Sequence, residues 1–105
     1  MNTIKLISSF ILLLLSANAS AGEHTVGQKD KAFSTDKLTI KAGDTVNFEN
    51  QDPFFHNVFS LSDAATFDLG SYPKGESKSV TFDNPGTVDV ECAIHPSMKL
   101  TIEVQ

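Results

Sequence analysis

From Gly22 onward the chain alternates apolar and polar residues in short runs. Leu38-Thr39-Ile40-Lys41, Thr45-Val46-Asn47-Phe48-Glu49-Asn50, Ser79-Val80-Thr81-Phe82, Thr87 to Cys92 and Leu100-Thr101-Ile102-Glu103-Val104 all follow this pattern. It is the periodicity of an extended chain, whose successive side chains point to opposite faces. Val26 begins a further strand, and His56 to Phe59 forms another after a break at Asp52-Pro53. Ala42-Gly43-Asp44 and Asn84-Pro85-Gly86 read as turns. No window keeps a helical apolar period for three turns. Short, regularly spaced strands separated by Gly, Pro, Asn and Asp predict an all-β protein, an antiparallel sandwich or barrel. Ser60 to Lys74 is less regular, and Ser62-Asp63-Ala64-Ala65 is expected to form one helical turn.

The beginning of the chain follows a different pattern. Lys5 supplies a positive charge, Leu6 to Leu15 is an almost unbroken apolar stretch, and Ala17, Ala19 and Ala21 supply small residues. The apolar stretch is too short to span a bilayer comfortably. Residues 1–21 therefore read as a cleaved signal peptide, with cleavage after Ala21 or Ala19, and residues 22–105 as one exported, periplasmic domain with no stable membrane insertion. An uncleaved N-terminal anchor is the alternative.

Removing the leader leaves a domain near the lower end of the size that folds without staples. Cys92 is the sole cysteine, so no intrachain disulfide can form. A free thiol in an oxidising compartment invites oxidation or intermolecular pairing, and ligation to a metal removes both hazards. Residues 22–105 carry seven lysines, no arginine and thirteen acidic residues, a formal charge of −6. The missing guanidinium argues against phosphate or nucleic-acid recognition. The acidic balance favours solubility and is compatible with a basic partner.

The chemistry concentrates in Cys92-Ala93-Ile94-His95-Pro96-Ser97-Met98, which brings a thiolate, an imidazole and a thioether close together. Cys92 shares its parity with Val88 and Val90, so it faces the core if the valines do, while Asp89 and Glu91 face out. The loop that follows, restricted by Pro96, delivers His95 and Met98. A second imidazole comes from His56 or His24. His56 opens a strand among Phe54, Phe55 and Phe59, whereas His24 lies near the new terminus, where mobility is expected. His56 is therefore the expected ligand, because metal sites need held side chains. Thiolate, two imidazoles and a weak thioether describe a blue-copper site for Cu(I)/Cu(II), formed by His56, Cys92, His95 and Met98. Cys and two His would also suit zinc, but methionine is a poor zinc ligand. The backbone N–H groups of Ile94 and Asn57 are expected to reach the Cys92 sulfur.

These residues resemble the cupredoxins, the small type 1 blue copper proteins such as amicyanin and plastocyanin. The Cys-x-x-His-Pro-x-Met spacing at Cys92, His95, Pro96 and Met98 is similar to amicyanin's short ligand loop. His56-Asn57-Val58 is similar to the upstream ligand motif of both proteins, and Leu38 to Phe48 to their early strands and turn. The resemblance covers essentially residues 22–105. It implies a Greek-key sandwich with copper at one end, electron shuttling between larger redox proteins, and a role for Asn57 in tying the two ligand loops together. The chain departs from the family at Ile94, where amicyanin has proline, at Ser97, where it has phenylalanine, and at Glu91, where plastocyanin has an aromatic residue.

The function expected is that of a monomeric electron carrier between a donor and an acceptor redox protein. Copper storage or delivery is the alternative, since it would use the same ligands. An enzyme is not expected, because the four ligands leave no open coordination position. Phe54, Phe55 and Pro96 are expected to surround the outer edge of His95, although either phenylalanine could equally be core.

Overall fold

The computed structural model describes residues 21–105; all but the last residue of the expected signal peptide lies outside the described residues. Within them the strands are β1 (Glu23–Lys29), β2 (Ala32–Phe33), β3 (Lys37–Ile40), β4 (Asp44–Asn50), β5 (His56–Ser62), β6 (Ala65–Tyr72), β7 (Ser77–Phe82), β8 (Gly86–Cys92) and β9 (Lys99–Val104). They form two sheets, one in the order β2-β1-β4-β7 and the other β3-β9-β8-β5-β6. β1 runs parallel to β4, and β3 parallel to β9. A tight hairpin cannot join parallel neighbours, so the chain passes from the first sheet to the second at β3 and returns at β4. The result is a β-sandwich, as the alternating pattern predicts, with the Greek-key order that the resemblance implies; the two parallel pairs depart from the wholly antiparallel arrangement expected. Among the described residues no helix is long and apolar enough to cross a membrane.

The sequence period reappears as burial. Val46, Phe48 and Asn50 on β4, Val88, Val90 and Cys92 on β8, and Leu100, Ile102 and Val104 on β9 all point inward. Phe67 on β6 crosses the sandwich to Phe48 and Phe82, with ring centroids 6.4 and 5.9 Å apart, within the range of favourable aromatic pairs. Tyr72 makes a polar tie across the same gap. Its hydroxyl donates to Gln28 Oε1 at 2.7 Å and also lies 3.1 Å from the Phe48 carbonyl. Burial pushes the Tyr72 phenol above its ordinary range.

The irregular stretch from Ser60 to Lys74 is a β-hairpin and not a helical turn. Ser62 pairs with Ala65, and Asp63-Ala64 forms the connection. The stretch looked irregular because of a bulge: the register shifts between Asn57↔Ser71 and Phe59↔Asp68. Gly70, at φ 71°, sits on the bulged strand, where an added residue breaks the two-residue period. β2 went unread because two residues are too few to show any period.

Asp44, at the start of β4, anchors the N-terminal strand. Its carboxylate accepts from Gly22 N at 2.7 Å, Lys41 N at 3.0 Å and His24 Nε2 at 3.0 Å. The His24 hydrogen bond first, then the Lys41 and Gly22 amides, lower its pKa from 3.8 to about 2. A depressed carboxylate pKa stabilises the fold above the unfolded value, and that stabilisation is lost as pH falls through the folded value. Denaturant unfolding is therefore expected to find Asp44→Asn less stable than the wild type at neutral pH. The gap is expected to close between pH 3.8 and about 2; a gap that persists unchanged at lower pH would contradict this account.

Candidate metal centre

One end of the sandwich gathers donor atoms from two adjacent strands and a loop. His56 opens β5, Cys92 closes β8, and His95 lies between β8 and β9. The antiparallel pairing of β5 with β8 sets Val58 opposite Cys92. Alternation then turns His56 inward with Val58, and Cys92 inward with Val90. One ligating atom from each of His56, Cys92 and His95 lies within 4.8 Å of the others. Cys92 Sγ is 3.7 Å from His56 Nδ1 and 3.8 Å from His95 Nδ1, and the two nitrogens are 3.2 Å apart.

The loop after Cys92 is short and internally closed. Met98 N donates to the His95 carbonyl at 2.9 Å, and Met98 turns into the interior with 1 % exposure. His95 is half-buried, while Ile94, Pro96 and Ser97 are exposed. Cys92 and His56 are buried. The four residues singled out from the sequence thus belong to one end of the fold. His24 does not join them: it sits at the start of β1, bonded to Asp44.

The surroundings correct several expectations. Asn57 N reaches the Cys92 sulfur at 3.4 Å, and among the described residues no hydrogen bond from Ile94 does so. The Asn57 side chain bonds Asp68 Oδ1 at 3.0 Å and not the opposite ligand loop, so the tie between the loops runs through its backbone. Neither phenylalanine is core. Phe54 is half-buried, with its ring centroid 5.3 Å from both imidazoles, and Phe55 is 53 % exposed.

The residue that the sequence reading missed is Asp52, which it took only as a strand breaker. Its Oδ2 lies 2.6 Å from His56 Nε2, and both side chains are buried. Burial disfavours this carboxylate, but the bonds from His56 and from the Asp30 and Lys31 amides outweigh it and hold Asp52 below the usual range. An acidic residue four positions before the histidine, across a proline turn, was the available signal. His95 is pushed below the ordinary imidazole range by burial, then by His56 and the Lys31 ammonium, with Asp52 pulling the other way.

A thiol and two imidazole nitrogens converging with no carboxylate among them form a soft, nitrogen-rich set. Sulfur suits Cu(I) and imidazole suits Cu(II). The buried thioether of Met98 in the same loop extends that preference, so the donor chemistry fits copper.

Comparison with known proteins agrees. Residues 20–105 match the model of the copper binding proteins of the plastocyanin/azurin family. The chain is similar to the chloroplastic plastocyanin of Physcomitrium patens, 37% identical over 99 residues, covering 84% of this chain and 58% of that one. It is also similar to amicyanin-alpha of Methylorubrum extorquens, 33% identical over 90 residues, covering 83% of this chain and 76% of the relative. Among solved structures it resembles a Cu(I) amicyanin variant, with a TM-score of 0.74 and 28% identity, over 86% of this chain and 89% of the other.

The environment of His95 predicts its titration in the metal-free protein. A histidine whose folded pKa is depressed stays neutral while the unfolded chain is already taking up a proton. Its stabilisation is therefore present above the ordinary range and is lost as pH falls. NMR titration of the metal-free protein is expected to show His95 protonating below 6.5; protonation at or above that value would contradict the arrangement.

Proposed function

Since this chain belongs to the plastocyanin/azurin family of copper binding proteins, we propose that it is a type 1 copper protein that carries single electrons between redox partner proteins. In this reading His56, Cys92, His95 and Met98 hold the ion. The observation that carries it is the convergence of a buried thiol and two imidazoles within 4.8 Å of one another. Bound there, copper supplies a one-electron Cu(I)/Cu(II) couple. The protein holds the donors still: strand pairing fixes His56 and Cys92, Asn57 N bonds the sulfur, and the Met98-to-His95 backbone bond closes the loop. Ligands held in this way move little between oxidation states, which favours fast electron exchange.

Several features favour a carrier over the alternatives. Storage or delivery of copper calls for exposed ligands that can rearrange, and His56, Cys92 and Met98 are buried. Four ligands leave no coordination position for a substrate, so the protein acts as a carrier and not as an enzyme. Half-buried His95 carries the electron to the surface. Phe54 lies 5.3 Å from the His95 ring, and Ile94 and Pro96 beside His95 in the chain are exposed, apolar surface suited to a brief, dry encounter. The Lys5 to Ala21 leader pattern supports export to the periplasm after cleavage, where the domain acts as a monomer.

Absorption and EPR spectra of the protein with Cu(II) test the assignment. An intense visible thiolate-to-copper band is expected. Cys92→Ser is expected to abolish it, and Met98→Gln to keep colour while lowering the potential, because a harder oxygen donor favours Cu(II). Unchanged colour in Cys92→Ser would overturn the assignment.

Self-exchange kinetics test the exit route. Lys31 Nζ already lies 5.8 Å from the Phe54 ring centroid. Pro96→Lys would add a second cation that meets its own copy at the contact, and it is expected to slow self-exchange on the order of tenfold at low salt. Glu91→Lys, on β8 opposite Lys99, is expected to change it little beyond a salt-dependent effect of net charge. A larger loss in Glu91→Lys at high salt would overturn the single route through His95.

A further inference from the structure

The turn between β1 and β2 lies far in sequence from the candidate ligands, yet it reaches the metal centre. Lys29 pairs with Ala32, leaving Asp30 and Lys31 as a two-residue connection. Both have left-handed backbones, at φ 55° and 57°, the conformation of a type I′ hairpin turn. Asparagine and glycine are the usual occupants of such a turn, so a lysine here is held by something besides its own preference. Two successive amides in a turn of this kind can form a concave anion site, and here they are filled from within the protein. Asp30 N donates to Asp52 Oδ1 at 2.7 Å and Lys31 N to Asp52 Oδ2 at 3.1 Å.

Asp52 is fixed from its other side as well. Its own amide donates to Asn50 Oδ1 at 2.8 Å, and Asn50 Nδ2 donates to the carbonyls of Phe54 and Tyr72 at 2.8 and 2.9 Å. The carboxylate therefore has little freedom to turn, and the capacity that remains on Oδ2 meets His56 Nε2 at 2.6 Å. A carboxylate can only accept, so Nε2 must carry the proton. The lone pair of His56 is then on Nδ1, the atom that faces Cys92 Sγ and His95 Nδ1.

Resting on the copper reading above, we infer that Asp52 is a positioning residue. Its carboxylate, clamped by the Asp30–Lys31 turn, fixes the tautomer and ring orientation of His56 and thereby lowers the reduction potential of the centre. The physical cause is twofold. Accepting the Nε2 proton makes the opposite nitrogen a stronger donor. A negative charge one imidazole away also favours the higher-charged metal ion. Both effects stabilise Cu(II) relative to Cu(I).

The test compares copper-loaded wild type, Asp52→Asn and Asp52→Glu by spectroelectrochemistry. Asp52→Asn keeps the shape and loses the charge. It is expected to shift the Cu(II)/Cu(I) equilibrium about tenfold towards Cu(I), a rise of about 59 mV for a one-electron couple. Asp52→Glu restores the charge and is expected to fall closer to wild type. A potential in Asp52→Asn equal to or below that of wild type overturns the inference. Wild-type protein gives a second measurement that does not depend on how the variants fold. Long-range nitrogen–proton NMR of the Cu(I) form is expected to show His56 protonated at Nε2 with that proton exchanging more slowly than the ring proton of His95. A proton on Nδ1, or exchange as fast as that of His95, overturns the inference. Absence of the thiolate-to-copper band in wild type would overturn the copper reading, whereas a band-bearing protein that fails the potential or NMR measurement overturns only the role of Asp52.

Discussion

Cys92 on β8 stands opposite Val58 on β5, and the placement of His56 and Cys92 at one end of the core follows from that register. A slip of one residue in either strand would turn its alternate side chains to the other face. It would expose His56 or Cys92 and bury the polar residues beside them. The register is held because the same parity that turns the ligands inward also turns in Val58, Val88 and Val90, all fully buried. Apolar burial of this kind stabilises by roughly 1.5–3 kcal/mol per side chain, more than a surface donor could offset. The site therefore takes its precision from the hydrophobic core. His56 and Cys92 occupy the end inward positions of strand patterns set by valines.

Pairing also explains why the sulfur is not left bare. Asn57, one residue from the inward-facing His56, has its amide directed towards β8, where it meets Cys92 Sγ. In a region of low dielectric an unpartnered polar atom is costly. The strand that provides one ligand thus supplies a hydrogen bond to the next. The same economy limits the Asn57 side chain: alternation points it away from the ligands, and it bonds Asp68 on β6 instead. A likeness of sequence motif places the residue correctly, but strand parity decides which of its atoms is used.

What could be read from the sequence divides along the same line. Alternating runs gave β3, β4, β7, β8 and β9 nearly whole, because each is regular and buried on one face. Cys92, His95 and Met98 were legible because seven consecutive residues hold them, and His56 because it opens a strand among aromatics. The β5–β6 hairpin was harder to read: a bulge at Gly70 breaks the period, and the small residues at its tip suit a helical turn as well as a reversal. Asp52 was missed for a different reason. Its meaning depends on the amides of Asp30 and Lys31, which lie more than twenty residues away and reach it only after β1 and β4 pair in parallel. Local patterns carry information about faces, while contacts made by sheet topology appear only in three dimensions.

The two halves of the ligand set are consequently held by different means. His56 and Cys92 belong to paired strands and are held from behind, one by Asp52 and the other by Asn57 N. His95 and Met98 belong to a loop closed by a backbone bond between them. Substitutions at the exposed positions of that loop alter the molecular surface while leaving the sheet pairing intact. Ile94 and Ser97 are exposed there. Under the role inferred for Asp52, substitutions behind His56 would act instead on the centre itself, because Asp52 meets the buried Nε2 side of His56. Strand topology positions His56 and Cys92 while a short loop positions His95 and Met98, so one end of the sandwich brings the four side chains together through two independent constraints.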